Sequence, residues 1–174
     1  MSEAKTITKK ICLIGDGAVG KTSLISRFVH NRYDDKYIQT IGTKVSRKNI
    51  RISDDLVLIL LIYDVLGQKR VQPLHDRYYL GSSGVIVVCD ITRRPTVEHV
   101  ESWLKSFYSV VGYVPTICLA NKTDLMGSAQ VTKESYKMAT ERLGCPGMFT
   151  SAKTGENVEK AFSLLAEKLL DNSR

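Results

Sequence analysis

Residues 15–22 read Gly-Asp-Gly-Ala-Val-Gly-Lys-Thr, and they stand between an apolar run at residues 11–14 and a segment with helical spacing at residues 23–30. This is the pattern GxxxxGK[ST] in the strand-to-helix setting that it requires. Its glycines allow backbone N–H groups to face inward around phosphates, and the start of the following helix favours negative charge. The pattern predicts a nucleotide-phosphate loop; the alternative is a glycine-rich turn with a chance lysine.

This segment, called the phosphate loop below, carries two side chains with expected roles. We expect the Lys21 ammonium to reach the β- and γ-phosphates, and the Thr22 hydroxyl to bind Mg²⁺. The expected nucleotide contacts in and directly after the loop are Gly15, Asp16, Gly17, Ala18, Val19, Gly20, Lys21, Thr22 and Ser23.

Strands and helices alternate along the rest of the chain. The predicted strands cover residues 11–14, 43–52, 56–63, 85–89, 116–120 and 148–150. The predicted helices cover residues 23–30, a segment that begins near Pro95, residues 132–143 and residues 157–170. In residues 65–83 the apolar residues follow neither the spacing of a helix nor that of a strand. The alternation indicates a mostly parallel sheet covered on both faces, with ligands bound at the carboxyl ends of the strands.

A carboxylate, a glycine and a glutamine follow the apolar run at residues 56–63. Asp64 is placed to bind a metal ion, directly or through water. Gly67 allows a backbone N–H close to the γ-phosphate, and Gln68 can orient the attacking water. Taken alone this pattern is weak, since an aspartate after a strand often caps a turn or a helix.

The segment Asn-Lys-Thr-Asp at residues 121–124 follows another predicted strand. Asp124 can accept hydrogen bonds from both N1–H and the exocyclic amine of guanine. Adenine presents an acceptor at N1 and lacks that amine, so it would leave a buried carboxylate unpaired. Asn121 offers its amide to the base, and the stem of Lys122 can cover the ring. The segment therefore predicts a guanine site.

A second base loop is expected at residues 150–153, again after a strand. Its small side chains allow backbone N–H groups to approach the guanine oxygen, although a serine-rich turn is the alternative interpretation. The expected contacts in this loop are Ser151, Ala152 and Lys153.

With these motifs in this order, the chain resembles the Ras superfamily of small GTPases over residues 9–170. Residues 37–42 resemble the first switch loop of that family. The resemblance implies that Thr40 binds Mg²⁺ and contacts the γ-phosphate. It also implies that Tyr33, which would pack against guanine, and Tyr37 are nucleotide contacts. The Tyr-Tyr pair at residues 78–79 is similar to the Rab branch.

The resemblance implies an α/β fold, the P-loop G domain. This is a mostly parallel six-stranded sheet with one antiparallel edge strand and about five helices on both faces, here one domain over residues 1–174. It implies a molecular switch that binds GTP with Mg²⁺ and slowly hydrolyses it to GDP. Switch loops near residues 32–43 and 65–80 would change conformation to control partner binding. The implied catalytic residues are Gln68, Lys21 and Thr40, and the implied metal ligands are Thr22, Thr40 and Asp64.

Two residues depart from the family pattern beside the expected γ-phosphate position. Val65 replaces a threonine, and Leu66 replaces a small alanine. We hypothesise that Leu66 slows hydrolysis, so that a poorly hydrolysing GTP-binding scaffold is a second interpretation. If Leu66 turns outward, it changes little. A P-loop ATPase or small-molecule kinase is a third interpretation, which the segment at residues 121–124 argues against.

The net charge of +7 is confined to the first third of the chain, where residues 1–53 hold eleven Lys or Arg and four Asp or Glu. One interpretation is a surface for an acidic protein or an anionic membrane. The other is protection of a sheet edge, because lysine and arginine discourage unwanted strand pairing. Nucleic acid is not an expected partner, since no aromatic residues are interleaved with the basic ones.

The remaining expectations concern partners and location. The four cysteines stand mostly in apolar runs and are predicted to be small buried residues rather than a disulfide framework. No signal peptide, CaaX box or Met-Gly start is present, which predicts a cytoplasmic protein without a lipid anchor. Membrane association through partners or the basic face stays open. A monomer is expected, and the resemblance implies effectors, an exchange factor and a GTPase-activating protein.

Overall fold

The computed structural model describes residues 4–34, 42–67 and 72–171. Six strands within these ranges form one sheet in the order β2-β3-β1-β4-β5-β6. They are β1 Lys5–Ile14, β2 Lys44–Ser53, β3 Leu56–Asp64, β4 Gly84–Asp90, β5 Thr116–Asn121 and β6 Gly147–Thr150. β2 runs antiparallel to β3, and the other neighbouring strands are parallel. The predicted α/β sheet with one antiparallel edge strand is confirmed.

Six α-helices lie within the described ranges, where about five were expected. They are α1 Lys21–His30, α2 Gln72–Tyr79, α3 Arg94–Glu98, α4 Val100–Val111, α5 Lys133–Arg142 and α6 Val158–Asp171. The helix predicted from Pro95 is divided at His99, which adds one helix to the count. α2 has no sequence prediction because it is mostly polar. None of the helices in the described ranges has the length and apolar character needed to cross a bilayer.

The two faces of the sheet bury alternate residues of β1, because successive strand side chains point to opposite sides. Ile11 and Leu13 join the core cluster on the side of α1 and α6, where the rings of Phe28 and Phe162 stack with centroids 4.0 Å apart. The intervening β1 residues join a second cluster that includes Trp103 of α4. All seven residues of β4 are buried. The central strands are therefore covered on both faces, as predicted.

β2 is an edge strand of the sheet, and it carries much of the basic excess. Lys44, Arg47 and Arg51 are exposed, whereas Lys48 is half-buried. The Lys48 ammonium donates a hydrogen bond to the Phe28 carbonyl oxygen at 3.0 Å and lies over the Phe28 ring. Lys48 therefore joins β2 to the end of α1, and the other three basic residues face solvent.

The carboxyl ends of the five mutually parallel strands meet at one edge of the sheet. Leu13 of β1 pairs with Asp64 at the end of β3. Asn121 at the end of β5 pairs with Asp90 of β4 on one side and with Thr150 of β6 on the other. The segments that carry the sequence motifs all leave the sheet at this edge, which is where ligands bind in such folds.

Candidate nucleotide-binding site

The phosphate loop leaves β1 and surrounds a buried lysine. Lys21 is only 6% exposed, and its ammonium donates hydrogen bonds to the carbonyl oxygens of Gly15 and Asp16, both at 2.8 Å. Burial lowers the pKa of Lys21 to about 8, although the nearby carboxylates of Asp64 and Asp16 partly oppose this. A buried cation held by neutral carbonyl groups is well suited to an anionic ligand, because such a ligand would restore the favourable environment of the charge.

Gly20 closes the phosphate loop in a conformation that requires glycine. Its φ of 102° is left-handed, and a Cβ atom there would lie 2.2 Å from Nδ2 of Asn121. Leu24 N–H donates to the Gly20 carbonyl oxygen at 2.9 Å, which begins α1 directly after the loop. Lys21, Thr22 and Ser23 therefore occupy the first turn of α1, where the backbone N–H groups and the helix dipole favour a phosphate.

A hydroxyl and a carboxylate meet beside this turn. Oγ1 of Thr22 donates a hydrogen bond to Oδ2 of Asp64 at 2.5 Å. The other oxygen of Asp64, Oδ1, is buried and has no hydrogen-bond partner among the described residues. Burial raises the pKa of Asp64, although the hydrogen bond from Thr22 opposes the shift. An unpartnered carboxylate oxygen next to a hydroxyl fits Mg²⁺, which prefers oxygen ligands.

Gly67 lies against the backbone of the phosphate loop. A Cβ atom on Gly67 would lie 2.5 Å from the backbone nitrogen of Gly17 and 2.7 Å from the carbonyl oxygen of Asp16. No side chain fits there without a shift of the backbone. The chain before Gly67 is fixed by Val65, which is 1% exposed and belongs to the core, while Leu66 is half-buried.

Asn121 connects three parts of the site. Its Nδ2 donates to the Val19 carbonyl oxygen at 3.0 Å, and its Oδ1 accepts from Oγ1 of Thr150 and from the backbone N–H of Ala152, both at 3.2 Å. Both ends of the amide thus bind protein groups. Asn121 holds the phosphate loop, β5 and the second base loop together, a role that the sequence interpretation did not include.

The two base loops also meet through a serine. Oγ of the fully buried Ser151 donates to Oδ1 of Asp124 at 2.6 Å, which orients an otherwise exposed carboxylate. Arg27 of α1 donates to the carbonyl oxygens of Ala152 and Lys153 at 2.9 and 2.6 Å. These contacts fix the second base loop beside Asp124, as the prediction of a single base site requires.

Asp90 is a site residue that the sequence interpretation missed. The Lys122 ammonium lies 2.7 Å from its Oδ2, and Nε of Arg93 lies 3.0 Å from the same oxygen. Burial would raise the pKa of Asp90, but hydrogen bonds from Lys122 and Thr92 hold it below its ordinary value. Arg93 also donates to the Gly17 carbonyl oxygen at 2.8 Å. One carboxylate therefore connects a base loop to the phosphate loop.

Asp16 joins the phosphate loop to α4 and the residue before it. Nε1 of Trp103 donates to its Oδ1 at 2.6 Å, and Nδ1 of His99 lies 2.6 Å from its Oδ2. Trp103 lies in the helix predicted from Pro95 and had no expected role at the site. Of the site residues that the sequence interpretation missed, Asp90 is the one that could have been predicted, because it ends a buried strand at the edge of the sheet where the motifs meet.

The structure brings together the predicted residues of the phosphate loop, Asp64, Gly67 and both base loops. Tyr33 follows α1 and is 37% exposed. Tyr37, Thr40 and Gln68 lie outside the described residues, so their predicted roles stay predictions.

Comparison with known proteins identifies the family. Residues 10–171 match the profile of the Ras family. The chain is 37% identical over 164 residues to Ras-related protein Rab-1 of Theileria annulata, an alignment that covers 93% of this chain and 74% of the relative. It is 35% identical over 163 residues to GTP-binding protein YPTM2 of Zea mays, covering 93% and 80%. It is also 35% identical over 171 residues to Ras-related protein Rab-13 of Bos taurus, covering 98% and 84%. The chain therefore belongs to the Ras family and is a divergent, Rab-like small GTPase.

Proposed function

We propose that this GTPase is a molecular switch that binds GTP with Mg²⁺, hydrolyses it slowly to GDP, and thereby changes its affinity for partner proteins. It would act as one domain with its core over residues 9–170. The observation that carries the proposal is the meeting of the buried Lys21, the Thr22–Asp64 pair and the Asp124–Ser151 pair at one edge of the sheet.

The phosphate end of the nucleotide would lie against the phosphate loop and Lys21. Thr22 and Asp64 would hold Mg²⁺, joined by Thr40 from the first switch loop. The metal ion, when bound, supplies positive charge to the β- and γ-phosphate oxygens. Oδ1 of Asp64, which has no donor within the described ranges, supports this assignment, since a buried carboxylate oxygen without a donor is costly unless a ligand satisfies it.

The base end would be selected by Asp124. Ser151 donates to one oxygen of this carboxylate and orients it, and guanine offers two N–H donors on the edge that would meet it. An adenine base would not satisfy the carboxylate, which gives guanine the advantage. Asn121 supports this selection indirectly, because it holds the two base loops and the phosphate loop in one arrangement.

Hydrolysis would require Gln68 to orient the attacking water. No arginine stands directly before Thr40 in the sequence, and Arg93 is engaged by Asp90 and the Gly17 carbonyl oxygen. The intrinsic rate should therefore be low, with stimulation by a residue from a GTPase-activating protein. The loops near residues 32–43 and 65–80 would change with the nucleotide and present the effector surface.

A poorly hydrolysing scaffold is the second candidate, because the half-buried Leu66 directly precedes Gly67 and the expected position of Gln68. Single-turnover hydrolysis of bound GTP separates the two. If Leu66 slows the reaction, Leu66→Ala should raise the rate, while Val65→Thr, a change in the core, should leave it unchanged. An unchanged rate in Leu66→Ala removes the hypothesis that Leu66 slows hydrolysis.

The nucleotide that co-purifies with the full chain tests the proposed class. The protein is denatured, and the released nucleotide is identified by chromatography. Bound GDP or GTP supports a guanine-nucleotide switch, and bound ADP or ATP overturns it. Titration with EDTA, followed by the release of a fluorescent GDP analogue, then tests the metal: release should accelerate in the native protein and respond much less in Thr22→Ala.

A further inference from the structure

Two cysteine side chains are in contact outside the nucleotide site. Sγ of Cys118, on β5, lies 2.7 Å from Sγ of Cys145, in the connection between α5 and β6, and 27 residues separate them in the chain. This distance is shorter than the optimal separation of two non-bonded carbon atoms, which is about 3.5–4.0 Å. It exceeds an S–S bond of roughly 2.03–2.05 Å by only about 0.7 Å. The two sulfurs are therefore placed almost as a disulfide would place them.

The backbone holds the two residues side by side. Cys118 N–H donates to the Pro146 carbonyl oxygen at 2.9 Å, and Cys118 pairs with Gly147 in the parallel register of β5 and β6. Cys145 stands two residues before Gly147, so it is the side chains that bring the two sulfurs together. Formation of the bond requires the sulfurs to approach by about 0.7 Å more.

The two thiols differ in acidity and exposure. The hydrogen bond with Cys145 and burial both raise the pKa of Cys118, which is 1% exposed. The same hydrogen bond lowers the pKa of Cys145, although burial opposes this. Of the two thiols, Cys145 therefore loses its proton more readily, and the thiolate is the reactive form of cysteine.

The other two cysteines provide a comparison within the chain. Burial raises the pKa of Cys12 to about 11 and that of Cys89 to about 12. Both are fully buried. Cys12 makes its side-chain contacts with Ser82 and the Tyr78 carbonyl oxygen, so its sulfur has a non-cysteine environment. Neither residue has the combination of a neighbouring thiol and an acidic sulfur.

Cys145 also has access to solvent that Cys118 lacks. It is 9% exposed and lines a surface cavity of about 380 Å³. The cavity also includes Tyr108, Tyr113 and Lys168. This volume accommodates a small oxidant such as hydrogen peroxide beside Cys145.

We propose that Cys145 and Cys118 form a redox modification site at which a peroxide produces an intramolecular disulfide. The Cys145 thiolate attacks one peroxide oxygen; the O–O bond breaks, hydroxide leaves, and Cys145 becomes a sulfenic acid. Cys118 sulfur then attacks the Cys145 sulfur, and water leaves with the proton of the Cys118 thiol. In sum, two thiols lose two electrons and two protons, and one peroxide becomes two waters.

The full chain, reduced and then freed of reductant, tests the proposal with hydrogen peroxide as the probe. After removal of peroxide, the protein is denatured and alkylated, and its mass and proteolytic peptides are measured. We expect two of the four cysteines to escape alkylation, a peptide linkage between Cys118 and Cys145, and full reversal by dithiothreitol. Cys118→Ser and Cys145→Ser should each abolish the linkage, and the matched control Cys12→Ser should retain it.

Several results would overturn the proposal. The first is alkylation of all four cysteines in a sample where added glutathione was oxidised, which shows that the peroxide was active. The second is a linkage that involves Cys12 or Cys89. The third is oxidation of Cys145 to a sulfinic acid without formation of a disulfide. The peptide map of the unaltered chain decides the question even if a serine variant does not fold. Thermal unfolding of each variant in reductant shows whether it is folded before oxidation.

Discussion

Trp103 donates its indole N–H to the carboxylate of Asp16, with Nε1 2.6 Å from Oδ1. The phosphate loop is thereby attached to a helix on one face of the sheet, 87 residues further along the chain. The second oxygen of the carboxylate lies 2.6 Å from Nδ1 of His99, so both oxygens have partners on the same side. The shape of the phosphate loop therefore depends on residues that should never touch the nucleotide.

Trp103→Phe should destabilise the protein and weaken nucleotide retention, because it removes the donor but keeps an aromatic ring in the core. Loss of a hydrogen bond to a charged group costs roughly 1.5–3 kcal/mol. The measurements are thermal unfolding and the release rate of a fluorescent GDP analogue. A double-mutant cycle with Asp16→Ala isolates the interaction between the two residues. The double variant should lose less free energy of unfolding than the two single variants lose in sum, and strict additivity would contradict the coupling.

Gly20→Ala should abolish tight nucleotide binding. Alanine at a left-handed φ costs roughly 1–2 kcal/mol, and its Cβ would also collide with Asn121 at 2.2 Å. Gly81→Ala is the matched control, since Gly81 has a φ of +74° but open space around its Cβ position. We expect both variants to lose stability in chemical unfolding and Gly20→Ala alone to lose GDP affinity. Equal GDP affinities would show that the Asn121 contact is unimportant.

Asp124→Asn should exchange the preferred base. The substitution replaces a carboxylate oxygen by an N–H donor, which no longer matches the exocyclic amine of guanine but matches the carbonyl that xanthine carries there. Competition between GTP and XTP measures the exchange, and we expect the preference to reverse. Glu156→Gln is the control, because Glu156 accepts a hydrogen bond from Thr123 in the same loop region but has no expected base contact. A loss of guanine preference in that variant would point to a general loop effect.

Arg93→Ala should accelerate nucleotide release, because it removes a cation from the buried Asp90 and a donor from the Gly17 carbonyl oxygen. Arg94→Ala is the adjacent control: Arg94 pairs with Glu98 at the surface, where both side chains are well exposed. Such exposed pairs contribute about 0–1 kcal/mol. Stopped-flow release of labelled GDP should distinguish the two variants, and equal rates would rule out the proposed connection.

The exposed basic residues of β2 should act chiefly as edge protection. Arg47→Glu with Arg51→Glu keeps charge on the edge and should leave the protein monomeric, whereas Arg47→Val with Arg51→Val should promote self-association. Light scattering against concentration measures both. Binding of the native chain to anionic vesicles that is lost in the glutamate variant would instead support a membrane surface. Lys48 is left unchanged, since it bonds to the end of α1.

Much of the site could be predicted because its chemistry is local in sequence. The phosphate loop needs glycines and a lysine at fixed spacing, and Asn121 to Asp124 follow a strand directly, so pattern and position agree. Asp16 with Trp103, and Arg93 with Gly17, join residues 76 to 87 positions apart. Such contacts depend on how helices pack on the sheet, which no short pattern encodes.

Some helices and strands could likewise be predicted from the sequence, and others could not. Strongly apolar β3, β4 and β5 could be predicted closely because they are buried on one or both faces. β1 begins earlier than predicted, at Lys5, because residues 5–10 are lysines and threonines with a single isoleucine and are all exposed or half-buried, so they form no apolar run. α2 escaped prediction because its sequence, QPLHDRYY, has no apolar stripe.

The shared carboxylate of Asp90 has a mechanical consequence. Lys122 belongs to the loop at the base end of the site, and Arg93 contacts the loop at the phosphate end, yet both depend on the same oxygen atom. Displacing either cation leaves a buried negative charge with one partner fewer, which is unfavourable. A regulator that opens either end of the pocket therefore has to meet the same cost, and Asp90 should act as a barrier to nucleotide exchange from both sides.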